Sequence, residues 1–140
     1  MTGERPKARK LGEHAPAGAR HGVYQPERGD FVFLDFTPQA GTEQAGRRPA
    51  LVLSPFEFNV ATGLIFACPI TNQVKGGSFD VAVPKGAKLS GVILSHQMRS
   101  LDWIARDAAF HGKAPEATVL EVLARIEAIL ELECSETVFP

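Results

Sequence analysis

The chain has 140 residues, 44% hydrophobic and 22% charged, a balance that suits one soluble globular domain. No apolar run approaches the roughly 20 residues of a membrane helix. The basic first residues lead into no apolar segment of the kind a secretory signal carries, so a cytoplasmic protein is expected.

The net charge of −1 conceals a gradient. Residues 1–28 carry six Lys/Arg against three Asp/Glu, residues 29–113 eight against seven, and residues 114–140 one against six. Any binding to nucleic acid must therefore rest on local cations, with the acidic C-terminal segment turned away. Cys68 and Cys134 lie in neither a metal-binding nor a redox spacing and read as unpaired thiols.

Residues 1–22 are rich in Gly, Ala, Pro, Arg and Lys and are expected to form a flexible basic tail, with 23–140 as a single domain. A basic arm that touches nucleic acid, or a true start near Val23, are the alternatives for the tail. FVFLDF at 31–36 predicts a strand from its aromatic and β-branched content. A polar loop follows, GTEQAGRRP at 41–49, and empties into a second strand at 50–53. The residue before a proline is pushed into extended geometry, so Arg48, preceding Pro49, is expected to be firmly held. Residues 56–62 read as a turn of helix or an irregular link.

LIFACPIT at 64–71 suits a strand covered on both faces, and Pro69 within it implies an edge or a bulge. A turn pivots on Gly76-Gly77, and FDVAV at 79–83 alternates as a half-buried strand does. Residues 91–94 and 97–101 predict one bent strand or two. His111 beside Gly112 reads as a turn residue. Val119, Val122, Leu123, Ile126, Ile129 and Leu130 fall at helical spacing behind Pro115 and Glu116, which predicts one amphipathic helix of about four turns. The fold class expected is mainly β (β-rich α+β), a small barrel or strongly curled antiparallel sheet with a C-terminal helix.

Polar residues gather at strand ends, where loops on a rigid scaffold carry function. The first loop supplies Glu43, Arg47 and Arg48; the turn after the third strand supplies Thr71, Asn72, Gln73 and Lys75; SHQMRS at 95–100 supplies His96, Gln97 and Arg99. The histidines are scattered, so no metal set is expected, and there is no phosphate-cradling glycine loop or nucleophile elbow. Such an inventory fits binding of a phosphodiester and proton transfer around it. With RNA the ribose 2′-hydroxyl is the nucleophile, and the protein supplies a base and donors for charge on the phosphate. The bland readings stand beside this one: a Glu43–Arg48 clasp, Thr71 as a plain strand residue, Arg47 solvated, and His96 at the surface.

The segment GDFVFLDFTPQAGTEQAGRRPALVLSP, with CPITNQVKG, GVILSHQMRS and a terminal helix, resembles the MazF/PemK family of toxins from bacterial toxin–antitoxin pairs. The resemblance implies a homodimer of small SH3-like barrels that cuts single-stranded RNA, typically mRNA, without a metal or other cofactor. The products would be 2′,3′-cyclic phosphate and 5′-hydroxyl ends. It implies Arg48 and Thr71 as catalytic, with Glu43 as base or RNA-positioning group. Asn72, Gln73, Lys75, Gln97, Arg99 and Arg47 would line the RNA groove, and a cognate antitoxin would be the protein partner. Many relatives carry an acidic residue where this chain has His96. A gyrase poison of the CcdB type and a catalytically silent RNA-binding barrel are the competing readings.

Overall fold

The computed structural model describes residues 24–36, 46–74 and 76–131. The expected tail, Glu43, Lys75 and Cys134 lie outside them. The described residues form seven strands: β1 (Asp30–Asp35), β2 (Arg47–Val52), β3 (Leu64–Thr71), β4 (Asp80–Ala82), β5 (Val92–Leu94), β6 (Arg99–Asp102) and β7 (Ala109–Lys113). The described residues also form two α-helices, α1 (Phe56–Thr62) and α2 (Glu116–Glu131), and a 3₁₀ turn over Ser95–Gln97. All pairings are antiparallel, in the order β4-β5-β3-β2-β1-β7, and β6 also pairs with β3.

The central strands are buried on both faces, which explains their nearly continuous apolar sequences. One face holds Phe31, Leu51, Cys68, Ile70, Val81 and Ile93, covered by Val119 and Val122 of α2. The other holds Val32, Leu34, Ala50, Val52, Ile65, Ala67, Leu101 and Trp103. Among the described residues the strand order is open, a curled sheet rather than a closed barrel.

β3 is the hub. Its first half pairs with β6 (Leu64–Ala67) and its last two residues with β5 (Ile70–Thr71), along the same edge. Pro69 falls between the two pairings. A proline inside a central strand is accommodated because its missing N–H interrupts neither ladder on that edge.

Five expectations are refined. β2 begins at Arg47 rather than at residue 50, because Arg47 and Arg48 pair with Asp35 and Leu34 of β1. Residues 56–62 form a regular helix, closed by Gly63 in the left-handed region. Residues 91–101 form two strands separated by the 3₁₀ turn. His111 lies in strand β7 rather than a turn, its ring edge-on to Phe33 at 4.6 Å between centroids. In α2, Val119, Val122, Leu123 and Ile126 pack on the sheet, while Ile129 and Leu130 are exposed in the last turn.

Candidate active site

β1 ends, β2 begins, β3 ends and β5 begins at one end of the sheet. Arg48 and Thr71 each lie two residues beyond the last β2–β3 pair, Ala50–Pro69. With a side-chain period of two, both share the face of Ala50 and Ala67, that of the second core. Carried two residues forward, the same register would set them opposite each other, beyond the last observed pair. Arg48 is also the register partner of the fully buried Leu34 in β1. Both residues are half-buried.

Local bonds fix the threonine further. Its Oγ1 accepts the N–H of Gln73 at 3.0 Å, which leaves the hydroxyl proton to be donated elsewhere. The next residue, Asn72, accepts at its carbonyl from Val74 N–H (3.0 Å) and at Oδ1 from Ser90 Oγ (3.3 Å). Asn72 and Gln73 are exposed, as polar groups of a binding rim would be.

Arg99 enters from β6, where it pairs with Ala67, and its guanidinium carbon sits 5.1 Å above the Phe36 ring centroid. Such a contact holds a cation without neutralising it. Phe36 packs on the second core just past the end of β1. The ring therefore brings Arg99 to the end of the sheet that carries Arg48 and Thr71. Gln97 is exposed in the preceding 3₁₀ turn, and His96 is a surface residue tilted against Phe79 at 6.0 Å.

Arg47 is exposed, as expected of a solvated cation, but it is also bonded. Strand alternation turns it to the opposite face from Arg48. There Nη2 donates to the carbonyls of Phe33 (3.0 Å) and Asp107 (2.7 Å), and Nη1 lies 3.4 Å from Asp35 and 3.5 Å from Asp107 carboxylate oxygens. Its charge is spent on tying β1 to the turn after β6.

Among the described residues no three His, Cys, Asp or Glu side chains gather as a metal set. Cys68 is fully buried, and desolvation pushes its thiol up to about 12, so it stays protonated and inert at neutral pH. Sequence reasoning missed Phe36, Ser90 and Gly91. Only the glycine carried a signal, as a lone Gly before an apolar run.

A curled antiparallel β-sheet packed on a C-terminal helix, with Arg48 and Thr71 on one face at one end, defines a small β-rich protein. The family model for the PemK-like, MazF-like toxins of type II toxin–antitoxin systems matches residues 27–130, and the chain belongs to that family. It is 44% identical over 108 residues to the endoribonuclease toxin MazF of Escherichia coli K12, covering 76% of this chain and 96% of that protein. Similarity to the endoribonuclease PemK of Escherichia coli is 35% over 108 residues, covering 74% and 81% of the two chains. Among solved structures, a MazE–MazF complex from Deinococcus radiodurans superposes with a TM-score of 0.73 at 48% identity, over 76% of this chain and 96% of the other. A mycobacterial endoribonuclease at 19% identity and a TM-score of 0.62 shares the fold.

Proposed function

We propose that this chain is the toxin of a type II toxin–antitoxin pair and a metal-independent endoribonuclease acting on single-stranded RNA. The observation that carries the reading is the placement of Arg48 and Thr71 on one face, two residues past the last β2–β3 pair, in a chain closely similar to proteins named endoribonuclease.

The chemistry is an internal transesterification. The 2′-oxygen forms a bond to phosphorus as the bond to the 5′-oxygen breaks. The 2′-hydroxyl gives up its proton and the departing 5′-oxygen gains one, so no other reactant is consumed. Arg48 supplies its fork of charged N–H donors to the phosphate oxygens as their charge rises. Thr71, with Oγ1 already accepting from Gln73, adds a neutral donor. Glu43 is assigned as the base or as an RNA-positioning group. Asn72, Gln73, Gln97, Arg99 and Lys75 are assigned to the groove, where stacking and base-edge contacts select single strands. Arg47, bonded to Asp35, Phe33 and Asp107, is proposed to tie strands together rather than to line the groove.

The partner proposed is a MazE-like antitoxin, by analogy with the Deinococcus complexes. The working form proposed is a homodimer in the cytoplasm. No helix among the described residues is long and apolar enough to cross a membrane.

The test is purified protein incubated with a long RNA, with and without EDTA, followed by mapping of the ends. Cleavage that persists in EDTA and leaves 5′-hydroxyl ends supports the reading. Intact RNA alongside gyrase trapped on DNA would replace it with a topoisomerase poison. Intact RNA that nevertheless binds the protein would replace it with a silent barrel.

A further inference from the structure

Gly91 has a backbone φ of +123°, in the region that favours glycine. A Cβ built there would lie 2.3 Å from the carbonyl oxygen of Thr71, 2.9 Å from its carbonyl carbon and 3.1 Å from Oδ1 of Asn72. Those two backbone atoms belong to a strand and have no flexible end to move aside. The glycine is also fixed from its other side, because its carbonyl accepts the N–H of Val83 at 3.0 Å. Its successor, Val92, pairs with Thr71 in the β3–β5 ladder. Its predecessor, Ser90, donates its hydroxyl to Asn72 Oδ1.

We infer that the Ser90–Gly91 step is a positioning element for the active site. Gly91 sets the backbone of Thr71, and Ser90 sets the side chain of Asn72. Neither touches the reacting atoms. The hydrogen bonds and close approaches described above go to Thr71, to Asn72 and to Val83 just past β4. Since β3 makes its last pairing at Thr71, the ladder alone would let this residue fray. A residue with a Cβ at position 91 would push the threonine off its place at the rim. The inference rests on the proposed role of Thr71 and identifies what holds that residue in position.

The test is a double-mutant cycle on RNA cleavage with the full chain. Gly91→Ala is expected to lower kcat by roughly 10²-fold, the effect of a displacement of about 1 Å at a reacting group, with KM within about twofold of the parent. In a Thr71→Ala background the same substitution is expected to cause no further loss, because the group it misplaces is gone. Parental kcat in Gly91→Ala, or a loss that repeats in full on top of Thr71→Ala, overturns the inference. Should Gly91→Ala fail to fold, Ser90→Ala decides. It is expected to raise KM about threefold, the effect of one weak hydrogen bond, with Ser90→Thr restoring the parental value and no added effect on Asn72→Ala. An unchanged KM in Ser90→Ala, or an equal change on top of Asn72→Ala, overturns it. Thr71→Ala that cuts as fast as the parent would instead bring down the site assignment itself, and the inference with it.

Discussion

Asn59 offers the sharpest test of what holds the scaffold together. Its side chain is fully buried on α1 and bonds in three directions. Oδ1 accepts the Ser54 hydroxyl at 2.5 Å, and Nδ2 donates to the carbonyls of Pro26 and Ser54, both at 3.0 Å. Ser54 Oγ in turn accepts the N–H of Phe66 in β3 at 2.9 Å. One amide thus joins the segment before β1, the exit of β2 and the middle of β3. Asn59→Leu keeps the branched shape, with slightly bulkier ends, and removes all three bonds. The main-chain carbonyl of Asn59, which accepts from Trp103 Nε1 at 2.8 Å and from Gly63 N–H at 2.9 Å, is unaffected. At about 1 kcal/mol for each bond the loss is about 3 kcal/mol, rising towards 5 because the Pro26 and Ser54 carbonyls lose their donor in a dry interior. With a urea m-value of about 1.5 kcal/mol/M, the unfolding midpoint should fall by roughly 2 to 3 M without a change in m. The folded fraction should still cut RNA at the parental rate, since Ser54 and Asn59 sit at the opposite end of β2 from Arg48. A stability loss below about 1 kcal/mol would refute the network's role.

Arg47→Ala should lower stability by about 1 kcal/mol, because its partners are partly solvated, and should leave kcat within about threefold of the parent. Urea titration and RNA cleavage on the same sample check it; a loss of kcat like that of Arg48→Ala would return Arg47 to the site. Cys68 gives a pH dependence of defined sign. Its thiol is held protonated to about 12 in the folded state, against 9.0 ordinarily. Its contribution is therefore complete below pH 9 and is lost as pH rises towards 12, at about 1.4 kcal/mol per pH unit. Between about pH 9 and pH 10.5 the parent should lose about 2 kcal/mol more than Cys68→Ala, and parallel stability curves would contradict this.

Much of this fold was legible because the helical periodicity is clean. The 119–122–123–126 spacing of α2 survives unchanged in the structure, whereas FDVAV keeps its alternation only around Val81, with the strand cut to Asp80–Ala82 and Phe79 exposed. β7 was not legible. Ala109 to Lys113 contains a glycine and a histidine and sits at the sheet edge, so burial imposes little pattern on it. Pro69 misled in part, because sequence cannot reveal that one strand edge is shared by two partners with a gap between them. The two arginines were separable in sequence through Pro49, and strand alternation sends them to opposite faces. What a single arginine bonds to is set by distant chain, here Asp107 and its carbonyl, and that is beyond local pattern. Gly91 and Phe36 escaped notice for the same reason: each acts on a residue far away in sequence.

The central claim is that Arg48 and Thr71 act together on one phosphate. Single-turnover cleavage of one RNA by the parent, Arg48→Ala, Thr71→Ala and the double variant tests it most directly, with folding verified for each. Each single variant should cut about 10²- to 10³-fold more slowly, the usual consequence of removing one donor from a developing charge. The double variant should be little slower than the worse single, as for groups that act as a unit. Either single variant cutting at the parental rate would contradict the account.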